Sequence, residues 1–190
     1  MAWGDAIGNI LFQYRKLFRQ AGFSSEIFRI HSQQAAASET YSADEYRAWS
    51  SPRNLLLVHY SMGWESWPPF LHLKDNRILV YHNITPAEYF EGISDEAAKL
   101  SSKGRRELAG LAKYFSGAIA DSEFNAAELR QAGFQNVVAI PPLVDLSEYR
   151  FAQQAPEATD GNTGPVDWLF VGRIAPNKKQ DDIIRAFSYY

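Results

Sequence analysis

The sequence predicts an α/β fold: a parallel sheet with helices on both faces. Three observations carry this. Strand-like and helix-like runs alternate along the chain. The strand runs, 54–60 and 77–82 above all, are apolar on both faces, as in a sheet covered from both sides. The helical runs open and close on capping residues, such as Ser122 before Glu123 and Gly133 after Gln131.

The elements follow in order. From Asp5 to Ala21 the apolar residues Ile7, Ile10, Leu11, Tyr14, Leu17 and Phe18 fall at helical spacing, and Gly22 ends the run. Residues 26–30 alternate like a strand. The small and polar stretch 32–42 reads as a loop, and 43–49 as a short helix. Residues 54–60 form a strand, and a helix begins at Trp67 with Pro68 and Pro69 in its first turn. The strand 77–82 precedes a long helix over 94–115 that contains Gly104 and Gly110. Residues 117–120 are a short buried strand, 123–131 a helix, and 136–140 a strand stopped by Pro141-Pro142. The stretch 152–165 carries no large apolar side chain and reads as a linker. A strand over 166–171 and a helix over 180–187 follow. One strand and one helix cannot bury their own apolar faces, so they are expected to open a second domain. The expected organisation is a first domain over 1–150, a linker over 151–165, and the start of a second domain over 166–190.

Composition narrows the function classes. The chain has 190 residues, 46% of them hydrophobic and 22% charged, with a net charge of −3. That balance gives no general case for nucleic-acid binding. There is no cysteine, which excludes disulfides, thiolate metal ligands and thiol catalysis. No apolar run approaches the roughly 20 residues of a membrane span. A cytoplasmic location is expected.

One motif points to phosphate. Gly172 stands at a strand exit, Arg173 follows it, and Lys178 lies five residues further on, just before a helix. Backbone N–H groups and the positive helix end favour an anion there. Arg173 adds a planar fork and Lys178 a mobile point charge. The plainer reading is a pair of surface cations around an ordinary turn.

Several segments together resemble the retaining family 4 glycosyltransferases of the GT-B group. The stretch 169–178, Leu-Phe-Val-Gly-Arg-Ile-Ala-Pro-Asn-Lys, resembles the start of that family's second domain. Ala120-Asp121-Ser122-Glu123-Phe124-Asn125 is similar to its last strand-to-helix turn in the first domain. The stretch 138–145 resembles its Ile-Pro-Asn-Gly-Val-Asp segment, with Pro142-Leu143 replacing Asn-Gly. Residues 80–85 are similar to the strand that ends in a histidine, and 3–9 stand where the family keeps a glycine-rich loop. The segments come in family order and cover nearly the whole chain.

The resemblance implies two Rossmann-like domains facing each other across a cleft, the first on the acceptor side. It implies transfer of a sugar, with retention, from a nucleotide-diphosphate-sugar donor to a saccharide or lipid-linked acceptor, in polysaccharide or glycoconjugate synthesis. Arg173 and Lys178 would bind the donor diphosphate and stabilise it as it leaves. His82 would contact the donor sugar or a phosphate oxygen. Gly4 and Gly8 would let backbone approach acceptor or diphosphate closely. No cofactor or metal is implied, and the sequence holds no Asp-x-Asp triplet. Two departures matter: the family's first strand and its paired donor-binding glutamates have no counterpart here. The chain is therefore expected to be a fragment of a longer enzyme and inactive alone. Lys99, Lys103, Arg106 and Lys113 share one side of the long helix, where an anionic lipid surface at the inner face of the membrane would rest; the plainer reading is a solvated face balanced by Glu107. Two other readings stay open: a GT-B-fold epimerase or phosphorylase, and a non-catalytic module binding an acceptor or partner.

Overall fold

A computed structural model describes residues 6–30, 39–65, 67–144, 168–172 and 174–189. Its centre is a four-stranded parallel sheet. The strands are β3 (Leu55–Tyr60), β4 (Asn76–Tyr81), β5 (Gly117–Ala120) and β6 (Val137–Ala139), side by side in chain order. The connecting helices are α2 (Trp67–Leu71), α3 (Asp95–Leu111) and α4 (Glu123–Gln131), and α1 (Ala6–Gln20) precedes the sheet. The expected α/β arrangement is thus present, with a helix between each pair of successive strands.

The pleat sorts the strand side chains onto two faces. Register pairs Tyr60 with Tyr81 and Tyr81 with Ala120. Tyr60, Leu79, Tyr81, Ala118 and Ala120 therefore point the same way. They form one buried cluster with Trp67 of α2, Leu108 and Leu111 of α3, and Ala126 and Leu129 of α4. The other face carries His59 and Val80, and here the Tyr14 ring of α1 meets the His59 ring edge-on at 5.6 Å. Towards β6 this second face is open, with Val138 50% exposed.

Caps define the helix ends. Ser94 Oγ accepts from Ala97 N, and Ser122 Oγ accepts from Asn125 N. Ser42 and Glu45 form a reciprocal capping box over a 3₁₀ segment at Ala43–Ala48. Gly133, at φ +94°, closes α4 in the left-handed region that glycine adopts without strain. Gly104 has a different role. A Cβ there would lie 2.6 Å from the Gly63 backbone nitrogen, so only glycine lets α3 reach the turn after β3, where Gly63 N–H donates to Leu100 O at 2.9 Å.

Four expectations need correcting. The strand expected over 26–30 shrinks to β1 (Phe28–Arg29), which pairs with β2 (Tyr41–Ser42) inside the expected loop; the pair forms a separate two-stranded parallel sheet. The long helix stops at Leu111 and continues as a 3₁₀ turn over Ala112–Tyr114, so Lys113 lies beyond it. Glu107 faces inward rather than balancing a solvated face. Its Oε1 accepts from Tyr60 Oη at 2.7 Å, Trp67 Nε1 at 2.8 Å and Trp64 N at 3.1 Å, while Lys103 reaches its Oε2 at 3.3 Å. Fourth, residues 168–171 of the expected strand 166–171 form no strand, since an isolated extended segment has no neighbour for its backbone groups. The helix expected after it is present as α5 (Gln180–Phe187), and its Ile184 is 71% exposed.

The inward carboxylate leads to a stability prediction. Glu107→Ala strands three donors and should cost about 3 kcal/mol in urea unfolding. Lys103→Ala, which removes only a partly exposed partner, should cost less than about 1 kcal/mol. Equal losses from both would show that the inward bonds contribute nothing special.

Candidate functional site

At the carboxyl end of the parallel sheet, three strands deliver polar groups to one place. His59 is the penultimate residue of β3, His82 follows β4, and Asp121 follows β5. His59 pairs with Val80 in register, and Val80 with Ile119. Two residues on along β4 and β5, His82 and Asp121 lie side by side on that same face. Ligand sites in open parallel sheets form outside the carboxyl ends of the strands, so the location suits a site.

The three side chains form a chain of hydrogen bonds. His59 Nδ1 and His82 Nε2 are 2.8 Å apart, and His82 Nδ1 lies 2.8 Å from Asp121 Oδ2. The two imidazole rings are nearly parallel, 18° apart in plane. Burial first, and then the facing His82, lowers the His59 pKa to about 3. His59 is therefore neutral at physiological pH. As a carboxylate, Asp121 accepts from His82 Nδ1–H. His59 Nδ1 and His82 Nε2 face each other across a single proton. Tyr14 closes the arrangement on the α1 side; burial first, and then the Asp121 charge, raises its hydroxyl pKa. Both nitrogens of His82 are thus engaged inside the protein.

His59 also reaches a cleft of about 440 Å³ between α1 and the outer edge of β3. Leu11, Tyr14, Phe18, Phe23 and Leu57 line it. That β3 edge has no strand partner among the described residues. The hydrogen-bonded chain therefore runs from the cleft, across the α1-side face of the sheet, to the carboxyl edge.

The other expected site residues are placed as follows. Gly8 is buried in the first turn of α1. Gly4 and Arg173 lie outside the described residues. Lys178 ends an exposed 3₁₀ turn over Pro176–Lys178. This turn packs on a second 3₁₀ turn at Ala87–Phe90, a few residues beyond His82. The neighbouring Lys179 Nζ stands 5.9 Å from the Tyr89 ring centroid. The structure thus brings the Lys178 turn against the segment that leaves the His82 edge. Among the described residues no group of three or more His, Asp or Glu side chains is arranged to hold a metal ion. No helix among them is long and apolar enough to cross a membrane.

No family model matches the chain, and no curated protein or solved structure matches it.

His59 and Asp121 were missing from the sequence-level site. His59 reads as one more residue of an apolar strand, and Asp121 as part of a turn. The available signal was positional: a polar side chain at the end of each of three successive parallel strands.

The neutral His59 makes a pH prediction. Its folded pKa lies below the unfolded value of about 6.5, so the unfolded chain binds the extra proton first. This contribution to stability is complete above about pH 6.5 and is lost as pH falls towards 3. Allowing for partial exposure, the loss between pH 7 and 5 should be about 1–2 kcal/mol. His59→Asn keeps a donor near the Nδ1 position but does not titrate. Urea unfolding at pH 7, 6 and 5 should give a flatter profile for this variant; parallel profiles would contradict a neutral, desolvated His59.

Proposed function

We propose that this chain forms the acceptor-side part of a retaining, metal-independent glycosyltransferase. It would act with a nucleotide-diphosphate-sugar donor and a saccharide or lipid-linked acceptor. The observation that carries the reading is the polar chain of His59, His82 and Asp121 at the carboxyl edge of a parallel sheet, with the Lys178 turn seated beside the segment leaving that edge. The ordered resemblance of five segments to one family supports it independently.

The chemistry follows from charge. Breaking the bond between sugar and diphosphate leaves negative charge on the departing phosphate. Arg173 and Lys178 would sit where that charge develops and offset it without a metal. The edge of the sheet would face the sugar. Gly8, buried at the start of α1, would keep the backbone there free of a side chain.

Calorimetric titration with uridine, guanosine and adenosine diphosphates and their hexose conjugates tests the reading. One nucleotide series should bind saturably. Arg173→Ala and Lys178→Ala should each weaken it about tenfold or more, the usual cost of losing a charge-assisted hydrogen bond. Arg173→Lys should restore only part, because lysine lacks the two-pronged geometry. Failure of every nucleotide to bind, or unchanged affinity in both alanine variants, would overturn the assignment.

A further inference from the structure

The carboxyl edge contains a group that neither the motif nor the resemblance singles out. His82 has no free nitrogen: Nε2 is bound to His59 and Nδ1 to Asp121, and its side chain is 5% exposed. A ligand could use His82 only by breaking one of these bonds. Asp121 differs. Its side chain is 22% exposed, Oδ2 takes the His82 proton, and Oδ1 has no hydrogen-bond partner among the described residues. The one ion pair Asp121 makes among the described residues is with His82.

We infer that Asp121 is the ligand-contacting residue of this edge, accepting a hydrogen bond from a hydroxyl of the donor sugar through Oδ1. His82 and His59 are then positioning residues that hold the carboxylate from behind. The inference rests on the proposed glycosyltransferase reading.

The choice of ligand group follows from elementary chemistry. An ionised carboxylate only accepts, so its partner must donate. A phosphate oxygen is excluded by like charge. That leaves the hydroxyl-bearing end of a nucleotide sugar, with the diphosphate directed away towards the Lys178 turn. The order of the chain also matters. His82 Nδ1 stands against Asp121 Oδ2 and its Nε2 against His59 Nδ1. The two bonds fix the ring and aim its N–H at Asp121, so the carboxylate cannot rotate without losing a charge-assisted bond. A carboxylate held in this way presents its second oxygen in one orientation, which discriminates among sugar epimers whose hydroxyls point differently.

The test compares each nucleotide sugar with the bare nucleoside diphosphate of the same base, by calorimetric titration of the whole chain. Wild type should bind the matching sugar conjugate more tightly than the bare diphosphate. Asp121→Asn should abolish that difference, a loss of about tenfold, and leave affinity for the bare diphosphate unchanged. His59→Phe, which removes the rear support, should lose part of the increment. A second measurement reads the positioning role directly. In ¹⁵N spectra of histidine-labelled protein, His82 should carry its proton on Nδ1, and Asp121→Asn should disturb that preference. Binding with the sugar increment intact in Asp121→Asn overturns this inference alone. Failure of any nucleotide to bind overturns the glycosyltransferase reading and this inference together.

Discussion

The register of the parallel sheet is the constraint on which the rest of the site depends. Tyr60, Tyr81 and Ala120 stand in line across β3, β4 and β5. Because side chains alternate along a strand, that single alignment decides what faces α2, α3 and α4 and what faces α1. It also decides that His59, His82 and Asp121 share a face, with His82 and Asp121 one step beyond His59 towards the carboxyl edge. A slip of one residue in β4 would turn His82 towards the helices and Tyr81 away from them. Leu79 and Tyr81, both fully buried in the core cluster, make such a slip costly.

Tyrosine–carboxylate pairs supply the anchoring. Three tyrosines donate to carboxylates on other elements, each at 2.7 Å: Tyr46 to Asp75, Tyr60 to Glu107, and Tyr81 to Glu128. Burial first, and then each partnering carboxylate, pushes all three hydroxyl pKa values well above the usual range. A buried carboxylate is expensive unless its lone pairs are taken, and each of these collects further donors. Ser50 donates to Asp75, Trp67 to Glu107, and Arg105 to Glu128. Arg105 also donates to the Ile84 carbonyl, two residues past His82. The contacts that dock α3 and α4 thus also secure the chain leaving β4, and with it the position of His82.

Much of this was legible in the sequence, for physical reasons that differ by element. The strands of the main sheet announce themselves as short apolar runs, and α4 by Ser122 and Gly133 at its ends. These are local signals. The two-residue strands β1 and β2 have no local signal, since a pairing so short is decided by neighbours rather than by propensity. The stretch 168–171 gives the converse lesson: Leu169 and Val171 look like strand residues, yet they stay 89% and 85% exposed without a partner. His82 was found at the sequence level through the resemblance of residues 80–85 to a family strand that ends in histidine. Its partners were not, because which residue lies opposite which is a property of register and spans 23 residues from His59 and 39 to Asp121. Glu107 was read as solvated because helical spacing shows which residues share a face, not which way that face turns.

The central claim is that register assembles one continuous hydrogen-bonded chain from His59 through His82 to Asp121. Scalar coupling across the hydrogen bond between the two imidazoles tests it most directly. In uniformly ¹⁵N-labelled protein at neutral pH, a correlation should appear between His59 Nδ1 and His82 Nε2, with the shared proton protected from exchange with water. Absence of that correlation, with a His82 Nε2 proton exchanging at the rate of an exposed imidazole, would contradict the account.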